Sequence, residues 1–446
     1  MALRFGTDGV RGVANAELTP ELALLLGRGA ARVLDADRVV IGRDPRRSGP
    51  MLEAALAAGF ASAGSTVELV GVLPTPAVAF LSDAQDCVGA VISASHNSFA
   101  DNGIKLFAPG GRKLADDVEE AIEAELEREL AGDVGARPSG AGVGVIRAIP
   151  DGGRTYRDHL VAILGASGAL TGMDVALDCA NGATSSAAPE VFDRLGARVV
   201  VRGASPDGFN INDGCGATHP EALAQAVAAG RFDLGLAFDG DGDRLIAVDH
   251  TGAIVDGDHI LAICARDLHR RGLLRHATVV VTVMTNLGFR LAMEEAGIHV
   301  VETAVGDRYV QEALEAGGYS LGGEQSGHVV FTDLATTGDG ILTGLVLADV
   351  VLRSGGTLAE LAADAMTRLP QVLLNVRVQG SAGDLMQALA GDVAAAEARL
   401  GPSGRVLVRP SGTEPIVRVM VEAATHDEAD QVAQGLAATL AEQARR

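Results

Sequence analysis

An apolar run that ends in a loop of Gly, Asp, Asn or Ser and then hands over to a helical pattern recurs along this chain. DRVVIGRDPRRSG runs into PMLEAALAAGFASAG (37–64), DVALDCANGATSSAAPEVFDRLG repeats the order at 174–196, and TVVVTVMTNLGFRLAMEEAG does so at 278–297. Strands that alternate with helices lie side by side and largely parallel, since each helix carries the chain back across the sheet. The likeness lies in pattern and not in residue identity. It predicts three related α/β domains with mixed, largely parallel sheets.

The segment after Pro370 reads differently. LLNVRVQ, GRVLVRPSG and EPIVRVMVEA have the look of a small antiparallel sheet, followed by a capped helix over THDEADQVAQGLAATLAEQARR. Gly- and Pro-rich stretches at 131–144 and 249–258 mark weak points. The expected division is 1–150, 151–250, 251–369 and a smaller α+β domain at 370–446, arranged around a central cleft. Aromatics make up only 3% of the chain, so the cores should be built from Ala, Val and Leu.

A net charge of −22 disfavours nucleic acid and anionic membrane surfaces as partners, and an anionic substrate would need a local cluster of cations. Cys87, Cys179, Cys215 and Cys264 are far apart and read as buried thiols. The N-terminal stretch lacks an apolar signal core and no apolar run approaches membrane-spanning length, so a cytoplasmic protein is expected. A homodimer is allowed.

AVISASHNSFADNGIKLF (90–107) starts as a strand and becomes a loop holding Ser95, His96 and Asn97. A serine there is ordinarily a turn former. Here it has polar partners and, ten residues on, one of only two lysines in the chain, Lys105, the other being Lys113. A nucleophile-sized hydroxyl beside a compact cation is the result. No GxSxG elbow accompanies it, which speaks against serine hydrolase chemistry.

LGLAFDGDGDRL (234–245) is sharper. In extended chain, alternate residues share a side, so Asp239, Asp241 and Asp243 can converge while Gly240 and Gly242 let the backbone turn. Crowded carboxylates repel unless a cation neutralises them, and hard oxygen donors suit Mg²⁺. A solvated acidic turn is the plain alternative. A calcium EF-hand fits worse, because its Gly and Glu positions are Arg244 and His250.

RPSGTEPIVRV (409–419) sets Arg409 and Arg418 around a turn of Ser411, Gly412 and Thr413, a donor set suited to phosphate, though a hairpin with incidental arginines would look alike. GGEQSGH (322–328) alternates Glu324, Ser326 and His328 on a glycine-hinged loop that can grip hydroxyls or move a proton. In AVGDRYV (304–310), Asp307 and Arg308 read either as site residues or as a helix start.

Taken in order, FGTDGVRG (5–12), SASHN with Lys105, DGDGDR, VGDRYV, GGEQSGH and RPSGTEP resemble the α-D-phosphohexomutase family from about Phe5 to Ala423. Within it, INDGCGATHPEAL (211–223) and GGEQSGH resemble most the bacterial phosphoglucosamine mutases. The resemblance implies a phosphoserine at Ser95, whose oxygen joins Asp239, Asp241 and Asp243 around one Mg²⁺, with Arg11, His96, Lys105 and Arg244 around the transferring group. It implies His328 as proton carrier and sugar contacts from Glu324, Ser326, Asp307 and Arg308. Arg409, Ser411, Gly412, Thr413 and Arg418 would hold the distal phosphate.

The implied reaction interconverts glucosamine 6-phosphate and glucosamine 1-phosphate through glucosamine 1,6-bisphosphate, feeding UDP-N-acetylglucosamine and cell-wall precursor synthesis. A phosphomannomutase or phosphoglucomutase would share the same phosphoryl machinery, and a silent phosphosugar-binding protein would share the pockets without the turnover. The chain departs from the family at Ser98, Pro45 and Thr285, where Pro, Thr and Ser are common.

Overall fold

The protein is described by a computed structural model covering residues 5, 6, 8–133, 135–165, 168–378, 382–410 and 416–444. It forms two compact units, Met1–Met284 with Gly297–Ala365, and Thr285–Ala296 with Met366–Arg446.

The first unit holds three sheets. One contains β1 (Val10–Val13), β2 (Arg38–Arg43), β3 (Thr66–Val72), β4 (Val88–Ile92), β5 (Asp101–Ala108), β6 (Arg112–Lys113) and β7 (Ile146–Ala148) in the order β1-β5-β4-β2-β3-β7, with β6 beside β5. The next contains β8 (Asp174–Asp178), β9 (Arg198–Arg202), β10 (Leu234–Phe238), β11 (Leu245–Asp249) and β12 (Ile254–Val255), ordered β12-β11-β10-β8-β9. The third is β14-β13-β15-β16, built from β13 (Thr278–Thr282), β14 (His299–Thr303), β15 (Leu321–Gly323) and β16 (Val329–Phe331).

These sheets share one plan. Each has a parallel trio, β3-β2-β4, β9-β8-β10 or β14-β13-β15, followed by one antiparallel strand, β5, β11 or β16. The last parallel strand is covered on both faces, which is why β4 (VGAVI) and β10 (LGLAF) are apolar and buried at every position. The loop leaving that strand emerges at the carboxyl edge of the parallel trio, where α/β sheets carry their sites. Those three loops are 93–100, 239–244 and 324–328.

Helices Pro20–Val33, Gly49–Ser62 and Asp116–Leu130 flank the first sheet, and Leu26, Leu52, Leu56, Phe60 and Ile122 fill its core. Thr19 caps the first of them on the Leu22 N–H, with Pro20 in the opening turn. Among the described residues no single helix is long and apolar enough to cross a membrane; Gly340–Ser354 and Leu358–Ala365 pass that test only as a pair bent by 97°.

The second unit is an antiparallel sheet of β17 (Gln371–Arg377), β18 (Arg405–Pro410) and β19 (Ile416–Glu422), ordered β17-β19-β18, with helices Ala382–Leu400 and His426–Gln443. Its core is Val417, Val419, Val421, Val432 and Leu440. The helix Leu287–Glu295, which in sequence follows β13, belongs here. Asn286 and the Leu287 N–H donate to the buried Glu422 carboxylate at 3.1 and 3.0 Å. All four cysteines are free, and Cys215 is only half-buried.

Candidate active site

Ser95 lies in the loop from β4 to β5, 1% exposed, with φ of +50°. A non-glycine residue in the left-handed region must be held there. Its N–H donates to Ser93 Oγ at 3.0 Å, and its C=O accepts from Arg46 Nη2 and Asn212 Nδ2, both at 2.9 Å. So held, the Ser95 hydroxyl donates to Asp239 Oδ2 at 2.6 Å, across to the second sheet.

Asp239, Asp241 and Asp243 are buried, and each offers one oxygen such that all three lie within 4.8 Å of one another. Their convergence does not come from extended chain. The segment is a tight turn between β10 and β11, closed by the Gly242 N–H on the Asp239 carbonyl at 3.1 Å, with Gly242 at φ +73°. Gly240 serves close approach instead: a Cβ there would stand 2.6 Å from the Ser95 carbonyl oxygen. Asp241 accepts from Thr75 Oγ1 at 2.7 Å and from Lys105 Nζ at 2.8 Å.

The electrostatics of the triplet are uneven. Burial, with the charges of Asp243 and Asp241, pushes the Asp239 carboxyl well above its usual range. Burial also acts against ionised Asp243, but Lys105, His328 and Arg244 outweigh it and hold that group low. Asp241 Oδ1 and Asp243 Oδ1 are buried without a hydrogen-bond partner. Orphaned, closely spaced carboxylate oxygens are what a hard divalent ion would satisfy, so the triplet fits a metal site.

Lys105 stands on β5 opposite Val91, buried, 2.8 Å from Asp241 and Asp8 and 3.6 Å from Asp243. Burial lowers its pKa, but those three carboxylates reverse the effect and hold it well above the ordinary lysine value. Asp8 gathers Arg11 at 2.5 Å, Lys113 at 2.7 Å and Lys105 at 2.8 Å. Both lysines of the chain therefore meet on one carboxylate, and Lys113 also reaches Asp307.

A cavity of about 450 Å³ opens beside this cluster, lined by Asp8, Arg11, His96, Asp243, Arg244, Asp307, Glu324 and His328, with glycines and Val305 between them. His96 Nδ1 is 3.4 Å from Ser95 Oγ. Burial, helped by Arg244 and Arg11, takes its pKa down to about 4, so the ring is neutral at pH 7. Burial pulls His328 the same way, but Asp243, 3.6 Å from Nδ1, and Asp307 raise it overall; its Nε2 is buried without a hydrogen-bond partner.

Glu324 accepts from the Gly306 N–H at 3.1 Å, and Ser326 Oγ donates to Glu324 at 3.4 Å without itself lining the cavity. Asp307 does open a helix, Asp307–Gly317. Arg308 is turned from the cavity, donating to the Leu114 carbonyl at 3.0 Å and pairing with Glu119 at 3.2 Å. In the second unit Arg409 and Arg418 stand directly opposite each other on β18 and β19. Ser411, Gly412 and Thr413 lie outside the described residues.

Sequence reasoning passed over Asp8, Thr75, Arg46 and Asn212. Asp8 sits inside FGTDGVRG and Asn212 inside INDGCGATH, stretches singled out for other reasons, while nothing local marks Thr75.

The phosphoglucomutase/phosphomannomutase family matches the chain in four segments, its α/β/α domains I, II and III at 2–132, 154–252 and 256–369 and its C-terminal domain at 373–439. The chain is 56% identical to the phosphoglucosamine mutase of Streptomyces avermitilis over 98% of both chains. It is 55% identical to that of Streptomyces coelicolor at the same coverage. Among solved structures it is similar to a phosphoglucomutase/phosphomannomutase family protein from Burkholderia thailandensis, with a TM-score of 0.82 and 25% identity over 98% of this chain and 97% of that one. Likeness of this extent, over every sheet and every loop just described, places the chain in the α-D-phosphohexomutase family of isomerases, which act as intramolecular phosphotransferases.

Proposed function

We propose that this enzyme interconverts glucosamine 6-phosphate and glucosamine 1-phosphate, with Ser95 carrying the phosphoryl group between them. The observation that carries the reading is the Ser95 hydroxyl 2.6 Å from Asp239, beside two further buried aspartates and Lys105. A serine is a poor nucleophile unless charge is gathered around it.

Asp239, Asp241 and Asp243 would hold Mg²⁺, which when bound supplies positive charge to the phosphoryl oxygens. Ser95 Oγ gives its phosphoryl group to the sugar 1-hydroxyl: the P–Oγ bond breaks, the P–O1 bond forms, and the hydroxyl proton passes to a base. In its neutral form His328, on the cavity wall with Nε2 3.9 Å from Asp307, is the candidate proton carrier. The resulting 1,6-bisphosphate reorients, and Ser95 Oγ recovers the phosphoryl from O6: the P–O6 bond breaks, the P–Oγ bond forms, and O6 takes back the proton the base had accepted, releasing the 1-phosphate. Lys105, Arg11 and Arg244 would neutralise the charge that spreads over the equatorial oxygens, and alignment with charge neutralisation is most of what phosphoryl transfer requires.

Glu324, on the cavity wall, offers a carboxylate to the sugar's ring substituents, its ammonium group included. The names of the relatives support the amino sugar as substrate. Arg409 and Arg418, with Ser411, Gly412 and Thr413, would take the distal phosphate. Like charges directly opposite on paired strands repel, and an anion bound between them relieves this.

The test is a coupled assay for glucosamine 1-phosphate formation with wild type and Ser95→Ala, repeated with glucose and mannose phosphates. Loss of turnover and of protein-bound phosphate in Ser95→Ala is expected. A faster rate on glucose or mannose 6-phosphate would move the chain to a neighbouring activity of the same family.

A further inference from the structure

The stretch INDGCGATHPEAL, one of the two that resemble the bacterial phosphoglucosamine mutases, touches the serine loop in the structure. Asn212, 8% exposed and at φ +59°, donates through one amide nitrogen to the Ser95 carbonyl at 2.9 Å and the Asn97 carbonyl at 3.1 Å. The segment leading to it is stitched to the first sheet twice more. The Arg47 N–H donates to the Gly208 carbonyl at 3.0 Å, and Phe209 meets Phe99 edge-on at 5.3 Å. On its own side it is fixed by the Asn212 N–H on Ala180 at 2.9 Å.

Arg46 completes the grip from the other direction. It is fully buried, held by Asp44 at 2.8 Å, and donates to the carbonyls of Ser95, Asn97, Ser98 and Asp101. Asp44 in turn accepts from Ser93 Oγ at 2.6 Å, and Ser93 Oγ receives the Ser95 N–H. The Ser95 N–H is thus tied by Ser93, and its C=O by Arg46 from a loop of the first sheet and Asn212 from a loop of the second. Neither Asn212 nor Arg46 lines the cavity beside the reacting groups.

We propose that Asn212, acting with Arg46, is a positioning residue: it fixes the left-handed backbone of Ser95 so that Oγ points at the aspartate triplet, and the INDGCGATH segment serves the phosphoryl transfer rather than reading the sugar. The inference rests on Ser95 being the phosphoryl carrier. With the amide removed, one of the two donors to the Ser95 carbonyl is lost, the loop gains freedom to leave φ +50°, and the hydroxyl direction spreads.

The test uses full-length Asn212→Gly, which tolerates the backbone and adds no charge, and Asn212→Asp, which keeps the size and removes the donor. Enzyme phosphorylated at Ser95 is mixed with glucosamine 6-phosphate, and single-turnover transfer is measured beside steady-state kcat and KM. Rates are normalised to the folded fraction from near-ultraviolet circular dichroism. Transfer and kcat are expected to fall on the order of 10- to 100-fold. KM and the preference for glucosamine over glucose 6-phosphate should stay within about twofold of wild type. Should either variant not fold, Asn212→Ser keeps a donor on a shorter arm and should fall between wild type and Gly. Unchanged transfer in folded variants, or a shift in sugar preference, overturns the proposal. Ser95→Ala run alongside separates the two ideas, because surviving turnover there would remove the phosphoserine reading itself.

Discussion

The serine loop and the acidic loop occupy the same place in their sheets, between the last parallel strand and its antiparallel neighbour, but they are held by different forces. Loop 93–100 carries a neutral hydroxyl, and its shape is kept by side chains that donate to its backbone carbonyls. Loop 239–244 carries three buried carboxylates, and what it needs from its neighbours is positive charge, supplied by Lys105 and Arg244. The third loop, 324–328, mixes both, with Glu324 accepting a backbone N–H and His328 leaning on Asp243. Topology gives each loop its position. The side chains within it decide whether hydrogen bonds or counter-charges must keep it there.

If that difference is real, neutralising a charge should injure the acidic loop most. Asp241→Asn would remove one of the three proposed metal ligands and a charge partner of Lys105 together, and kcat should fall on the order of 10⁴-fold without rescue by excess Mg²⁺. Titrating activity against added metal checks it; recovery at high Mg²⁺ would mean the residue only tunes affinity. Lys105→Ala comes next, with kcat lower on the order of 10³-fold and KM little changed, since the ammonium is packed among the carboxylates beside Ser95 and does not line the cavity proposed for the sugar. Lys105→Arg should not restore the rate, because a fork cannot take the place of a point charge packed among three aspartates.

Much of this was legible in the sequence, though not always for the reason first apparent. The alternation of apolar runs and polar loops reads directly as α/β sheets, because parallel strands buried on both faces must be continuously apolar. Strand order does not read out, since neither spacing nor composition says which strands become neighbours. The equivalence of the three loops therefore emerges only in the fold. Asp239, Asp241 and Asp243 converge as the spacing suggests, but through a turn whose Gly240 leaves room for another loop's carbonyl. Arg46 looks like a solvated loop residue and is instead fully buried, because besides Asp44 its partners are backbone carbonyls that no sequence pattern records. Arg308 fails in the opposite sense: a charge inside a motif is spent on Glu119 and a main-chain carbonyl.

A smaller effect tests how the acidic loop is buttressed. The Gly340 N–H donates to the Gly242 carbonyl at 3.0 Å, and Asp339, which caps that helix on Leu342, is buried with Tyr156 as partner. Burial pushes the Asp339 carboxyl up to about 6 from an ordinary 3.8. The folded state therefore binds this proton more tightly than the unfolded chain does. Its stabilising contribution is complete below about pH 4 and is lost as pH rises through 6, a change on the order of 3 kcal/mol. Asp339→Asn keeps the cap and removes the titration, so the stability of the variant relative to wild type should climb between pH 4 and 6 and then level off. Denaturant melts across that range decide it, and parallel curves would mean that Asp339 titrates alike in both states.

The smallest expected effect lies on the serine side. Phe99 and Phe209 are exposed at 41% and 50%, and their edge-on contact joins the serine loop to the segment that carries Asn212. An aromatic pair contributes about 0.5–1.5 kcal/mol beyond its buried area, so Phe209→Leu should slow transfer by only about threefold. Phe99→Leu should match it, and the double variant should be no slower than either single one, because each removes the same contact. A stopped-flow comparison of the three, at saturating sugar phosphate, measures that coupling directly. Multiplicative losses would show the two rings acting separately, and the serine loop would then owe its hold on the second sheet's segment to Asn212 and not to the ring contact.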